Sequence, residues 1–179
     1  MKPDLEVTSV PAWAVAPQEP DADLTGRFWT VVGIGAAAES IVERWITQIR
    51  GAHPDASPSV HLVGSDADDA AAEAVSADLG AALVGWRLLI AGPADACLRL
   101  RAHALRGGVG DDEIVVATTA VTNREVACAH CGARTRADVG LEDVVACVGC
   151  HRNLLVYYHV SRLRGAHLGF MVDAEEVAS

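Results

Sequence analysis

From Phe28 onward the chain alternates between short runs of apolar, β-branched residues and longer stretches whose apolar positions recur every three or four residues. Phe28-Trp29-Thr30-Val31-Val32-Gly33-Ile34-Gly35 reads as a buried strand ending in glycines. Ala36 to Arg50 follows, with Ile41, Val42, Trp45, Ile46 and Ile49 on one stripe and Glu39, Glu43, Arg44 and Gln48 outside it, the pattern of an amphipathic helix. Gly51 and Pro54 stop that helix. Val60 to Gly64 is a second strand, and Ser65 or Asp66 is placed to cap an alanine-rich helix through about Leu79, with Gly80 at its close. Trp86 to Ala91 is a third strand, turned by Gly92-Pro93. Ala94 to Arg106 is a third helix with Cys97, Leu98, Ala102 and Leu105 inward, ended by Gly107-Gly108. Ile114 to Thr118 is a fourth strand.

Such alternation builds a parallel sheet with right-handed crossovers. The expected fold class is α/β: a three-layer Rossmann-like parallel sheet over residues 26–120, followed by a small β-rich zinc ribbon over residues 121–179. Residues 1–25 carry Pro3, Pro11, Pro17 and Pro20, which forbid a helix and favour an extended N-terminal arm. The run from Val10 to Val15 is expected to add an edge strand or to pack onto a neighbour, and an exposed arm that orders on a partner is its functional reading. In the last third, Asn153 to Val160 is a further β-rich stretch.

Cysteine placement sets the chemistry. Cys128-Ala129-His130-Cys131 and Cys147-Val148-Gly149-Cys150 are two Cys-x-x-Cys knuckles with fifteen residues between them. Each knuckle places two sulfurs on one side of a tight turn, and two facing knuckles complete a tetrahedron around a metal at about 2.3 Å per Zn–S bond. Four thiolates leave no coordination position for substrate, which points to structural Zn²⁺, with a rubredoxin-type Fe centre as the alternative. Two short Cys-x-x-Cys disulfides would be strained and would staple little chain. His151 could replace a thiolate, which four cysteines make unnecessary. His130 is expected to be exposed, and Cys97 to be a buried small apolar residue.

Charge narrows the partners. Acidic side chains outnumber basic ones, 24 to 14, and the excess lies in residues 1–120. An acidic front and a near-neutral cysteine segment disfavour a nucleic-acid partner. No apolar run approaches the ~20 residues that span a bilayer, so no membrane is expected. The mixed-charge start, Met1 to Glu6, lacks the order of a signal peptide, and paired thiols without one point to the cytoplasm. Behind the knuckles, His159, Arg162, Arg164 and His167 cluster within nine residues. They could line an anion pocket or contact a partner's carboxylates, or they could form a solvated basic rim. Asp173-Ala174-Glu175-Glu176 is expected to be a frayed acidic end. No nucleophile–base arrangement is visible, so a catalytic centre of the chain's own is not expected.

Two resemblances extend this reading. Val32-Gly33-Ile34-Gly35, His61-Leu62-Val63-Gly64-Ser65, Leu88-Leu89-Ile90-Ala91-Gly92-Pro93 and Gly107-Gly108-Val109-Gly110-Asp111-Asp112-Glu113-Ile114 resemble the nicotinamide-nucleotide domain of ferredoxin-reductase-like flavoenzymes in reduced form. Ala36-Ala37-Ala38 stands where that family has a Thr-Pro pair at its pyrophosphate site, and residues 1–25 are not expected to form the family's flavin-binding barrel. Gly33 and Gly35 could still let a phosphate approach a helix N-terminus, or could serve only a tight strand–helix turn. Tyr157-Tyr158-His159-Val160-Ser161-Arg162 followed by Gly165 to Glu175, directly behind the knuckles, resembles the DmmA-like small subunit of dimethylamine monooxygenase, a family related to haem-dependent oxidative N-demethylases. That resemblance implies an accessory subunit of a complex that uses reduced nicotinamide and oxygen to convert dimethylamine to methylamine and formaldehyde. Its haem oxygenase and flavin/iron–sulfur reductase components would be the partners, and the haem, flavin and iron–sulfur centres would sit on them. An electron-transfer subunit with tetrathiolate iron is the alternative role.

Overall fold

Trp29 to Ile34 is buried throughout, which is what a central parallel strand covered on both faces requires. The computed structural model describes residues 4–172, so the acidic segment 173–176 lies outside the described residues. The first sheet contains β1 (Phe28–Ile34), β2 (Ser59–Val63), β3 (Trp86–Pro93) and β4 (Ile114–Ala120), all parallel, in the order β2-β1-β3-β4. At the edge, β2 alternates between half-buried and exposed positions, as an edge strand does.

Helix α1 (Glu39–Ala52) packs on one face and α2 (Asp68–Gly80) and α3 (Ala94–Arg106) on the other. Ile41, Val42, Trp45 and Ile49 from α1 meet Trp29, Val31 and Leu89; Ala71 and Val75 from α2 and Ala96, Cys97 and Leu100 from α3 meet Val32, Leu88 and Ile90. This is the three-layer α/β arrangement. Three boundaries differ from expectation. Ala36–Ala38 forms a 3-10 turn before α1. The α2 N-cap is Ala67, without a side-chain cap bond, rather than Ser65 or Asp66. Strand β3 continues through Gly92 to Pro93, and Pro93, with φ −60°, itself caps α3.

The arm is not extended throughout. Leu5–Val7 and Ala12–Ala14 are single 3-10 turns. Such a turn needs one i→i+3 bond, and Pro11 at the N-cap with φ −63° is compatible with it: the Ala14 amide donates to the Pro11 carbonyl at 2.9 Å. Of the two expectations for Val10–Val15, the edge strand is not formed and packing onto a neighbour is: Val10 and Ala14 pack against Leu98 and Val160. Further on, Thr118 donates its amide to Gln18 O (2.8 Å) and its hydroxyl to Trp13 O (3.0 Å). The buried Trp45 indole donates to Pro20 O (2.9 Å), and Arg87 pairs with Asp23 (2.7 Å). With one helix on this face of a four-stranded sheet, Ala22 and its neighbours complete the layer.

The second sheet has the order β6-β5-β9-β8-β7, built from β5 (Asn123–Cys128), β6 (Arg134–Asp138), β7 (Val144–Ala146), β8 (Asn153–Ser161) and β9 (Ala166–Met171). β5 and β9 run parallel; the other pairs are antiparallel. This sheet is docked on α3, on the outer side of the helix layer that covers the first sheet. Gly165, at φ +62°, brings the β8–β9 turn against α3 so closely that a Cβ there would lie 2.5 Å from Leu98 O. Glu125, 3% exposed, takes Arg134 and Arg136 from β6 and reaches Arg99 of α3 at 3.6 Å.

Candidate metal centre

Each knuckle sits at one end of a hairpin. Cys128 ends β5 and Cys131 lies in the turn to β6; Cys147 follows β7 and Cys150 precedes β8. The two turns close with the same bonds. Cys128 N donates to Ala133 O and Gly132 N to Cys128 O, at 2.9 and 3.0 Å; Cys147 N donates to Arg152 O and His151 N to Cys147 O, both at 2.9 Å. Both turns need a left-handed residue after the second cysteine, Gly132 at φ 76° and His151 at φ 58°.

These turns face each other across a core of Val126, Leu154 and Val156. Cys128 Sγ lies 3.8 Å from Cys150 Sγ and Cys131 Sγ 3.5 Å from Cys147 Sγ. All four sulfurs fall within 4.8 Å of one another. A tetrahedron of sulfurs about 2.3 Å from a central ion has edges of about 3.8 Å, whereas a disulfide is about 2.05 Å long. The spacing fits an ion and not a bridge, and all the cysteines are free thiols. The cluster could hold a metal ion.

The backbone supports the anionic form of the ligands. Cys131 N–H points at Cys128 Sγ (3.5 Å) and Gly149 N–H at Cys147 Sγ (3.4 Å). Amides of Cys150 and Gly149 together bring the Cys147 thiol down to about 6. At Cys131 a backbone bond to Ala133 also favours thiolate, but desolvation and the three neighbouring sulfurs outweigh it and carry the thiol up to about 11. Gly149 is required by proximity: a Cβ there would stand 2.6 Å from Ala133 Cβ and 3.1 Å from Cys131 Sγ. Cys128 and Cys147 are buried, Cys150 is half-buried and Cys131 is exposed, so the cluster meets solvent on one side. His130 is exposed, and no ligand position falls to His151. Cys97 is fully buried, and burial pushes its thiol up.

The basic cluster behind the knuckles divides. His167 is 1% exposed inside β9, so it belongs to no surface rim; period-two alternation turns it inward. Burial, then the charge of Arg124, hold it down at about 4, against a backbone bond with Tyr157, so it is neutral at pH 7. His159 lines a hollow with Val7 and Tyr157. Arg162 pairs with Asp111 at 2.8 Å. Arg164 lines a different cavity, between the α2–α3 layer and the second sheet.

Elsewhere Gly33 has a packing reason: a Cβ there would meet Leu62 at 2.7 Å and Val42 at 2.9 Å. Gly35 is the left-handed residue (φ +77°) that turns β1 into the 3-10 turn. Ser59, His61 and Asp78 lie together, but Ser59 Oγ (3.1 Å) and Asp78 Oδ2 (2.9 Å) both use His61 Nε2. A relay needs the two ring nitrogens separately, so this is not a triad.

The parallel α/β layer thus carries a docked five-stranded ribbon whose hairpin ends gather four thiols that could hold a metal ion. Residues 125–170 match the family model described as dimethylamine monooxygenase subunit DmmA-like, C-terminal domain, so this part of the chain is similar to that domain. No curated protein and no solved structure matches the chain. Among the described residues no helix is long and apolar enough to cross a membrane.

Proposed function

We propose that the protein is a non-catalytic accessory subunit of a multi-component dimethylamine monooxygenase, assembling with its haem oxygenase and flavin/iron–sulfur reductase components in the cytoplasm. The observation that carries this reading is the DmmA-like match over the segment that contains all four ligand cysteines. Zn²⁺ on Cys128, Cys131, Cys147 and Cys150 is the ion proposed. With four sulfurs at tetrahedral spacing the shell is closed, so the ion's contribution is folding energy, on the order of 10 kcal/mol in small thiolate modules. The docked ribbon would present Arg162, Arg164 and His159, which are exposed, to acidic groups of the partners.

One observation favours a second reading. Cys131 is exposed while both knuckles direct an amide at a sulfur, an arrangement suited to a rubredoxin-like iron exchanging electrons through the Cys131 edge. Elemental analysis and a visible spectrum of the purified chain separate the two: zinc at one equivalent and no colour supports the structural role, and one equivalent of iron with thiolate-to-ferric absorption supports electron transfer. For the assembly itself, Cys147→Ala is expected to abolish co-purification with the oxygenase components. Full-stoichiometry recovery of that variant in the complex would overturn the proposal.

A further inference from the structure

Between the α2–α3 layer and the second sheet lies a cavity of about 380 Å³, within the size range of small-molecule sites. Its apolar lining includes Ile34 at the carboxyl end of β1 and Leu100 of α3. The rest is dominated by arginine: Arg99 and Arg106 from α3, Arg134 and Arg136 from β6, and Arg164 from the β8–β9 turn. Only three carboxylates line it with them, Asp68, Asp69 and Glu125. In a chain of net charge −10, this hollow has the opposite sign.

Two of those carboxylates organise the arginines. Asp68 holds Arg99 in a two-point grip (2.8 and 3.1 Å) and takes Arg136 at 3.0 Å. Glu125 takes Arg136 at 3.1 Å and also Arg134. Among the described residues, Arg106 and Arg164 have no carboxylate within ion-pair reach; Arg106 is held by the Leu163 carbonyl. Guanidinium groups fixed in this way are preorganised forks, matched to the oxygens of a phosphate. Several of them converging in a concave site suit a group that accepts from more than one fork at once, which a phosphate does better than a single carboxylate.

We infer that this cavity between the helix layer and the second sheet binds a small molecule bearing one or more phosphate groups. The arginines come from both halves of the chain, so the site exists only when ribbon and α/β layer are docked, and its ligand clamps them together. It is not the glycine turn at the end of β1: Gly33 and Gly35 do not line it. The inference rests on the cavity alone and stands whether or not the chain joins an oxygenase.

Titration calorimetry of the metal-loaded full-length chain with inorganic pyrophosphate, at fixed ionic strength, tests it. Saturable one-to-one binding is expected, weakened tenfold or more by Arg164→Gln and by Arg106→Gln. Arg164 is exposed and Arg106 lies at a helix end, so neither change opens the core. Arg162→Gln, outside the cavity, is expected to leave binding unchanged. Absence of saturable binding, equal weakening by Arg162→Gln, or citrate binding as tightly as pyrophosphate would each overturn the assignment.

Discussion

His151 in the second knuckle holds the left-handed backbone position that Gly132 holds in the first, at φ 58° against 76°. The bonds around the two residues are equivalent, so the strain has a direct comparison within the molecule. A side chain in this region is disfavoured by roughly 1–2 kcal/mol. His151→Gly is therefore expected to raise stability by about 1 kcal/mol, and Gly132→Ala to lower it by a similar amount. No atom lies within 4 Å of a Cβ at Gly132, so its effect is conformational alone. Chemical denaturation of the metal-loaded variants checks both; a stabilising Gly132→Ala would refute the argument.

Gly149→Ala acts on the sulfurs directly. Its methyl would press on Ala133 and on Cys131 Sγ, and Ala133 lies in the ribbon core, leaving the exposed ligand as the softer neighbour. The expected result is a metal affinity lower by roughly ten- to a hundredfold, the range of losses when the support of a ligand is disturbed. Competition with a chromophoric chelator measures it. The fold of the α/β layer should be unaffected.

His167 makes stability fall with acid in a defined window. Its folded pKa of about 4 lies below the ordinary 6.5, so the unfolded chain takes up the proton first. The stability is fully present above pH 6.5 and is lost as pH falls through 4, roughly 3 kcal/mol in all. Below that, Asp23 and Asp78 add to the loss: burial would raise them, but hydrogen bonds from Thr25 and Arg87, and from His61, Thr30 and Ser59, hold both low. His167→Gln is expected to flatten the curve between pH 6.5 and 4 only. An unchanged slope in that variant would assign the effect elsewhere.

What could be read in advance depended on how local the signal was. Val31 to Ile34 and the stripe from Ile41 to Ile49 announce their elements because burial on one face, or on both, repeats at the element's own period. The cysteines announce their cluster because a knuckle is a local turn. Strands β5 and β9 were silent for the opposite reason. Arg124-Glu125 opens β5 with two buried charges that other elements satisfy: Arg134, Arg136 and Arg99 reach Glu125, and Arg124 donates to the Val139 carbonyl. β9 carries His167 and Gly169 where an apolar run would be sought. The arginine cavity was equally hidden, since its walls lie far apart in sequence; of the basic cluster singled out behind the knuckles, Arg164 alone reaches it.

Glu125 is where the two halves of the chain depend on each other most. Its carboxylate is nearly inaccessible and serves Arg134 and Arg136 within the ribbon and Arg99 across the junction. Removing one partner of a buried ion pair destabilises by about 3–5 kcal/mol, but Arg134 and Arg136 are about half exposed and water recovers part of that. Glu125→Gln is therefore expected to lower stability by about 2 kcal/mol. Its neutral amide still accepts one bond, whereas Glu125→Ala, which also empties the space, should lose more. Hydrogen exchange locates the effect: faster exchange is expected in α3 and β5, at the junction, with the knuckle amides of Gly132 and His151 still protected by their bonds to the Cys128 and Cys147 carbonyls. Loss of protection in the knuckles first would mean that Glu125 supports the ribbon rather than its contact with α3.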